Sequence, residues 1–358
     1  MLFFDARYIR TDFHDGISRY STELGRALNE LTPVTFLIHD KAQLALLPRG
    51  ARHLVIHPPT SVKELFTARI LNRFAPDVVF SPMQTMGTHG RTFKLILTSH
   101  DMIYYRHRSA PRGLTTIIRV GWWMYHLSYA PQRAVLNSAD IVATVSQTSK
   151  KDFIKAHLTR RPIVVIPNAP QRLAELLPAK AVSSDTPRNL VYMGSFMGYK
   201  NVETLVRAME LLPDFTLHLL SRISPKRRAE LETYIAKGAK VVFHNGVSDQ
   251  QYAEILADRA ILVTASLDEG YGLPIAEALA LGVPAIVSNL PIFHEVAGEG
   301  ALYFKAKDPL DLANKVNELT DPVLRTKITT AGKKHIASFS WKTSAQTLLS
   351  TIKSSLLQ

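Results

Sequence analysis

Short apolar runs alternate with amphipathic segments along nearly the whole chain, and this alternation limits the fold more than any other feature. Runs typical of strands are VTFLIH, DVVFS, KLILTSH, DIVATVS and PIVVIPN, followed by NLVYMGS, FTLHLLS, KVVFHNG, AILVTAS and PAIVSN. Patterns typical of helices lie between them, such as GISRYSTELGRALNEL, NVETLVRAMELL and DQQYAEILADRA. The N-terminal MLFFDARYIR is typical of a first strand. Such alternation predicts parallel sheets covered by helices on both faces.

A polar segment that contains two prolines, LLPAKAVSSDTPRN, separates the two series of runs. A chain of 358 residues is long enough for two domains. We therefore predict an α/β protein of two doubly wound domains, 1–177 and 186–340, with a final amphipathic helix over 341–358. Ligands of open parallel sheets bind outside the carboxyl ends of the strands. We expect the functional residues just after strands, in a cleft between the domains.

Composition and missing motifs exclude several classes of protein. The chain has no cysteine, which excludes disulfides, cysteine-ligated zinc and a thiol nucleophile. No apolar run reaches the roughly 20 residues of a membrane span, and the N-terminus lacks the basic start of a signal peptide. The absence of G-x-G-x-x-G and of G-x-x-x-x-G-K-[ST] argues against dinucleotide dehydrogenases and P-loop enzymes. With no H-E-x-x-H and no D-x-D at a strand end, we expect no metal site.

The stretch SLDEGYGLPIAEALALG carries two glutamates across a glycine-proline turn at the start of a helix. Gly270 and Gly272 allow a tight turn or a close approach to a ligand, and the helix N-terminus attracts anionic oxygens. Glu269 and Glu277 can each accept two hydroxyl hydrogen bonds. The pair can hold two sugar rings, for instance a nucleotide ribose and a transferred hexose. The alternative is one acidic residue at a helix start and one solvated glutamate.

Other candidate residues follow strands or precede helices. Lys200, in GSFMGYKN, is a point charge that can neutralise a diphosphate leaving group, and Ser195 can donate to a phosphate oxygen. Gly16 precedes a helix and lets backbone N–H groups approach a diphosphate. His100 ends the strand KLILTS, where it can bond to a sugar hydroxyl. A loop-capping pair of His100 and Asp101 is the alternative.

Segment 269–289 resembles the E-x7-E signature of the retaining, nucleotide-sugar-dependent glycosyltransferases of GT-B fold, the large family 4. GISRYSTELGRAL is similar to that family's glycine loop and first helix, and LTSHDMIYYRH to its histidine-aspartate segment. VIPNAP resembles its strand and turn before the linker, YMGSFMGYKNVETLVRAM its phosphate-binding segment, and FSW the start of its crossover helix. The matches occur in the expected order over nearly the whole chain. The resemblance implies two Rossmann-like domains facing across a cleft, with helix 341–358 crossing back to the N-terminal domain.

The resemblance also implies roles for the candidate residues. Glu269 binds hydroxyls of the donor sugar, Glu277 binds the ribose, and Lys200 contacts the diphosphate. His100 lies beside the donor sugar, and we expect Glu269, Lys200 and His100 to act in catalysis. The turn that contacts the donor's sugar and phosphate consists of Gly270, Tyr271, Gly272 and Leu273. Many members carry an arginine near the position of Ser195; here Arg222 is the only candidate replacement that we identify.

The function that follows is transfer of a hexose, mannose or glucose, from a nucleoside-diphosphate sugar to a glycan or lipid-linked acceptor. The resemblance implies retained anomeric configuration, an N-terminal domain that binds the acceptor, and no enzymic nucleophile. We expect no cofactor other than the donor and no metal, because Lys200, helix N-termini and the Gly16 loop supply fixed charge. The expected process is synthesis of cell-envelope polysaccharide or glycolipid. The alternatives are a sugar-nucleotide epimerase of the same architecture and a non-catalytic sugar-nucleotide-binding protein.

The positive charge of the chain is concentrated in its first half. The net charge is +13, and residues 1–180 hold 24 Lys and Arg against 12 Asp and Glu. This asymmetry predicts an anionic partner. The segment TTIIRVGWWMYHLSYAPQRAVL, with YYRHRSAPR upstream, combines aromatic and basic residues, which suits a membrane interface. No nucleic-acid-binding motif is present. We expect a cytoplasmic protein at the inner face of the membrane; core packing of the tryptophans, with evenly spread charge, is the alternative.

Overall fold

The structure is a computed structural model that describes residues 1–12, 15–108, 115–178, 182–183 and 185–357. The strands in these residues are β1 (Leu2–Asp5), β2 (Val34–Ile38), β3 (Arg52–Val55), β4 (Val78–Ser81), β5 (Lys94–Thr98), β6 (Ile141–Thr144), β7 (Ile163–Val165), β8 (Asn189–Tyr192), β9 (Thr216–Leu219), β10 (Lys240–Phe243), β11 (Ala260–Thr264), β12 (Ala285–Ser288) and β13 (Ala301–Phe304). The α-helices are α1 (Gly16–Leu31), α2 (Thr67–Asn72), α3 (Ile103–Arg106), α4 (Thr116–Tyr125), α5 (Ala130–Asn137), α6 (Gln147–Lys155), α7 (Val202–Ala208), α8 (Pro225–Glu232), α9 (Asp249–Ala257), α10 (Leu273–Leu281), α11 (Pro291–Ala297), α12 (Pro309–Glu318), α13 (Pro322–Ile336) and α14 (Trp341–Leu356).

The chain divides into two compact units, each built on one parallel sheet. Unit 1 comprises residues 1–168 and 339–358, and unit 2 comprises residues 169–338. The sheet of unit 1 has the order β3-β2-β1-β4-β5-β6-β7, and that of unit 2 the order β10-β9-β8-β11-β12-β13. In both sheets the order reverses beside the first strand, between β1 and β4 and between β8 and β11. The prediction of two doubly wound α/β units is confirmed.

All ten runs predicted as strands form strands, and the N-terminal run forms β1. Those strands are short and mostly buried, which explains their continuous apolar sequences. The sequence analysis missed β3 and β13. Each lies at an edge of its sheet, and β3 is largely exposed, with Arg52 and His53 among its four residues. An edge strand needs less apolar sequence, so its pattern is weaker.

Helix α14 belongs to unit 1, although it follows the whole of unit 2 in the chain. It packs against α1, and its Trp341 ring lies edge-on to Tyr20 of α1, with ring centroids 5.9 Å apart. Ser344 Oγ donates to the Pro167 carbonyl at 2.8 Å. The helix therefore returns to the first unit, as the resemblance implied; residue 358 lies outside the described residues.

Unit 2 begins before the limit predicted at 177. The short 3-10 helix Leu173–Leu176 packs against α9 and α10, so it belongs with the second sheet. Within the predicted linker, residues 179–181 and 184 lie outside the described residues, as do residues 109–112 of the basic segment upstream of α4. Among the described helices, none combines the length and the apolar character that a membrane crossing requires.

A buried ion cluster fastens the carboxyl ends of the strands in unit 1. Arg7, directly after β1, donates to Asp5 at 2.8 and 2.9 Å and to Glu64 at 2.6 and 3.1 Å. The Arg7 and Asp5 side chains are fully buried. Ser81, at the end of β4, also donates to Asp5 at 3.2 Å. The cluster therefore ties β1 to β4, where the strand order reverses.

Candidate functional site

The site in unit 2 lies where its strand order reverses, the usual ligand position of an open parallel sheet. Strand β8 leads into the loop that contains Lys200, and its neighbour β11 leads into the loop that contains Glu269. The two loops are joined directly, because the Leu267 N–H donates to the Tyr199 carbonyl at 2.7 Å. Two residues that are 69 positions apart in sequence are thereby brought to one place.

Lys200 and Glu269 form an ion pair at this point. Lys200 Nζ lies 2.5 Å from Glu269 Oε1, and each side chain is 14% exposed. The Ser266 hydroxyl donates to the same carboxylate oxygen at 3.0 Å. Since Ser266 has one hydroxyl proton, Thr264 must be the donor in their 3.1 Å contact. A chain of hydroxyls thus holds Glu269 in place from the β11 side.

The turn that presents Lys200 is fastened by Asn201, which the sequence analysis did not identify. Asn201 adopts left-handed backbone angles, with φ of 50°. Its side-chain amide donates to the carbonyls of Ala265 at 3.1 Å and Ala306 at 2.5 Å. Asparagine tolerates this conformation better than most residues. The dipeptide Lys-Asn before a helix was the only available signal.

Helix α10 begins at the glycine turn, as predicted. Gly272 precedes it with φ of 101°, and a Cβ there would lie 3.0 Å from the Phe293 ring. Any other residue would be strained both by the positive φ and by the close contact of its Cβ with the ring. Proline at position 274 lies in the first turn, and the helix dipole directs its positive end to the turn. Glu277, one turn further along, is only 2% exposed.

Ser195 lies on the exposed part of the loop after β8. Its carbonyl accepts a hydrogen bond from the Tyr192 hydroxyl at 2.6 Å. At the next position, Arg227 Nε donates to the Phe196 carbonyl at 3.2 Å, and Arg227 also pairs with Glu203. Arg227 is therefore a structural support of the loop, and no motif in the sequence pointed to it.

Arg222 follows β9 and is exposed, and its side chain lies beside Gly246.

In unit 1, Gly16 is the first residue of α1. Asp15 caps this helix, accepting from the Ser18 N–H at 2.8 Å, and pairs with Arg10 at 3.1 Å. The Ser18 hydroxyl in turn accepts from the Arg10 N–H at 2.9 Å. The start of α1 is thus tied to the loop after β1.

His100 follows β5 in unit 1 and has a defined tautomer. Its Nε2 lies 2.8 Å from the Pro82 carbonyl oxygen. A carbonyl can only accept, so Nε2 carries the proton. Burial lowers the pKa of His100, which favours the neutral ring with an unprotonated Nδ1. Tyr20 packs edge-on against the ring, with centroids 5.2 Å apart. His100 therefore suits acceptance of a hydroxyl hydrogen bond at Nδ1.

A cavity of about 460 Å³ opens at the carboxyl ends of β1, β2 and β3 in unit 1. Its polar lining includes Arg10, Asp12, Asp15, His39 and Asp40. Carboxylates and imidazole beside apolar surface suit a ligand with several hydroxyl groups. In the described part of the chain, no group of three or more His, Asp or Glu side chains is arranged to hold a metal ion.

Two family models cover most of the chain. Residues 14–169 match the model described as glycosyltransferase family 4, and residues 174–335 match the model described as glycosyl transferases group 1. The boundary between the matches coincides closely with the boundary between the two units.

Relatives and solved structures agree with these matches. The serotype-specific mannosyltransferase WbdA of Escherichia coli is 34% identical over 113 residues, covering 32% of this chain and 14% of WbdA. O-antigen chain mannosyltransferase B of E. coli is 27% identical over 226 residues, 58% of each chain. The aligned part thus spans about a seventh of WbdA and little more than half of the other.

The crystal structure of Anabaena Alr3699/HepE, in complex with UDP and glucose, superimposes with a TM-score of 0.73 at 15% identity. The superposition covers 99% of both chains and shows a shared GT-B fold. The two sheets, the strand-end loops and the two family matches lead to one conclusion: this chain belongs to the group 1 and family 4 glycosyltransferases.

Proposed function

We propose that this protein transfers a hexose from a nucleoside-diphosphate sugar to a glycan or lipid-linked acceptor in envelope polysaccharide synthesis. The observation that carries the proposal is the Lys200–Glu269 pair at the strand-order reversal of unit 2, beside the start of α10. A cation there attracts a diphosphate, and a carboxylate there accepts hydroxyl hydrogen bonds from a sugar. Ser195 and the turn from Gly270 to Leu273 complete the proposed donor site in unit 2, and Gly16 stays a predicted diphosphate contact in unit 1.

We infer mannose as the first choice for the hexose, because two relatives are named mannosyltransferases. Because the HepE structure is a complex with UDP and glucose, glucose is our second candidate for the hexose. For the acceptor, the cavity beside Asp40 and His39 offers polar groups suited to sugar hydroxyls.

The proposed mechanism retains the anomeric configuration and uses no metal. Lys200 and the positive end of the α10 dipole provide fixed charge where the diphosphate leaves, which lowers the barrier without an ion. We assign no enzymic nucleophile. The acceptor hydroxyl attacks on the face from which the diphosphate departs, and the diphosphate takes the proton. We keep His100 as a predicted sugar contact, because its neutral and partly buried ring can accept a hydroxyl hydrogen bond at Nδ1.

A donor screen tests the proposal. The protein is mixed with GDP-mannose, UDP-glucose and ADP-glucose, and the melting temperature is recorded, because a ligand that binds only the folded state raises it. The stabilising donor is then incubated with envelope glycan fragments and with lipid-linked saccharides. We expect release of nucleoside diphosphate and a product with the donor's anomeric configuration by NMR. Epimerised donor without nucleotide release would refute glycosyl transfer.

We also propose that unit 1 binds the inner face of a membrane. Trp122 packs edge-on against Tyr104, whereas Trp123 is 48% exposed. The exposed apolar side chains in and just after α4 are Ile118, Val120, Trp123, Met124 and Leu127. The exposed cations in and just after α6 are Lys151, Lys155, Arg160 and Arg161. Each cation near an anionic leaflet contributes about 1 kcal/mol, so several give reversible binding.

Flotation with liposomes tests the proposed membrane binding of unit 1. We expect the wild type to float with vesicles that contain phosphatidylglycerol and to remain below with neutral vesicles, and added salt should reduce recovery. The double substitution Lys151→Glu and Lys155→Glu should abolish flotation. Lys327→Glu with Lys334→Glu, on α13 of unit 2, makes the same charge change elsewhere and should leave flotation intact. Equal recovery with neutral and anionic vesicles would refute the electrostatic contribution.

A further inference from the structure

We propose that the Lys200–Glu269 pair makes the donor site discriminate the intact nucleotide sugar from the free nucleoside diphosphate, so that Glu269 promotes release of the diphosphate product. This inference rests on the proposed function. It assigns Glu269 a second task besides holding the hexose.

The contact between the two side chains carries the inference. Lys200 Nζ donates to Glu269 Oε1 at 2.5 Å, with both side chains largely shielded from water. A diphosphate that binds Lys200 must therefore share the ammonium group with Glu269 or displace it. The bound diphosphate would also lie close to the carboxylate, and two anions in a shielded site repel one another.

The intact donor offers compensation that the free diphosphate does not. Its hexose hydroxyls donate to the carboxylate, so Glu269 gains new partners when it gives up Lys200. Once the hexose has been transferred, those hydroxyls leave with the product. Glu269 then keeps the Ser266 hydroxyl as a donor and competes again with the diphosphate for Lys200. The exchange of partners weakens the hold on the product while the acceptor departs.

The surroundings determine which partner moves. Ser266 donates to Glu269 at 3.0 Å and is itself fully buried, so the carboxylate is held to the β11 side. Lys200 has a longer stem, and its ammonium group lies 5.2 Å from the centroid of the Tyr199 ring. The aromatic ring provides a second favourable contact for the cation as it turns from the carboxylate to the diphosphate. We therefore assign the movement to Lys200.

Titration calorimetry with UDP, GDP and ADP, and with the donor selected in the screen, tests the inference. Glu269→Gln keeps the size of the side chain and removes its charge. We expect it to bind the free nucleoside diphosphate at least about fivefold more tightly than wild type, as an ion pair no longer competes. The same variant should bind the intact donor no better than wild type does. The difference in affinity between the intact donor and the free nucleoside diphosphate should therefore become smaller. Glu269→Ala, checked for folding by circular dichroism, should likewise bind the free nucleoside diphosphate more tightly than wild type and the intact donor no more tightly.

Two controls isolate the pair. In a Lys200→Met background, Glu269→Gln should lose most of its effect on diphosphate affinity, because no cation is left to release; a full effect there would overturn the inference. Glu318→Gln removes a charge from an exposed ion pair with Lys315 in the same unit and should change neither affinity.

The outcomes separate this inference from the proposed function. Unchanged or weaker diphosphate binding by both Glu269 variants would overturn it while leaving the donor site intact. A wild type that binds no nucleotide and no donor would refute the proposed function instead. In stopped-flow experiments, Glu269→Gln should also release the nucleoside diphosphate more slowly than wild type, by about the same factor as the gain in affinity.

Discussion

Replacing Glu277 by glutamine should weaken the binding of every ribonucleoside diphosphate by about the same amount. Glu277 is 2% exposed and lies one turn into α10, so the isosteric change preserves packing while removing the charge. The wild-type carboxylate can accept a hydrogen bond from each of the two ribose hydroxyls. The amide of glutamine has one acceptor oxygen and no charge, so one of these bonds is lost and the other is weakened. A hydrogen bond to a charged group contributes about 1.5–3 kcal/mol. The dissociation constant should therefore rise by about 10- to 150-fold.

Calorimetry with paired ligands measures this change. UDP, GDP and ADP should all lose affinity, whereas a 2′,3′-dideoxynucleoside diphosphate should bind the wild type and Glu277→Gln equally, because it lacks both hydroxyls. The melting temperature without ligand shows whether the variant remains folded. An equal loss for the ribose and dideoxyribose ligands would refute the ribose assignment and indicate a general structural effect on α10.

The remaining predictions concern catalysis, metal, stability and pH. Lys200→Met should lower kcat by about 10²-fold or more, with a smaller rise in KM, because its charge matters most as the diphosphate departs; steady-state kinetics measures both. Activity should persist in excess EDTA, and a loss that Mg²⁺ restores would contradict the proposed mechanism. Arg7→Met should lower the free energy of unfolding by about 3–5 kcal/mol in urea titrations, since it removes the guanidinium that pairs with the two buried carboxylates Asp5 and Glu64. Burial lowers the pKa of His100 below its ordinary 6.5, so only the unfolded chain gains this proton just below pH 6.5. Stability should therefore fall as the pH decreases from 7.5 to 5.5, and less so in His100→Gln.

Local sequence pattern was enough to predict all the strands described above except β3 and β13, the helices named in the sequence analysis, and the turn before α10. Gly272 and Pro274 require particular backbone positions, and the chain around them adopts that conformation. The same local reasoning located Lys200 and Glu269 just after strands. Their direct contact was not predictable, because it depends on β8 and β11 being neighbours and on the side-chain directions after each strand.

The supporting groups were missed because their roles depend on distant partners. Arg7 resembles any charged residue after a strand until Glu64 is brought against it. Arg227 lies in a polar helix without a motif, and its function depends on the Phe196 carbonyl from another loop. The protonated nitrogen of His100 follows from the Pro82 carbonyl, 18 positions away.

The return of α14 to unit 1 has a consequence for biosynthesis. The ribosome must translate all of unit 2 before it makes the helix that covers α1, a delay of roughly 10–30 s at 5–20 residues per second. During that interval the apolar side chains that α14 would cover lie open to chaperones and to other nascent chains. Trp341 also contacts Tyr20, which supports His100, so the surroundings of this histidine are completed last. Unit 2 needs no later segment, and the second half of the molecule can finish folding before the first.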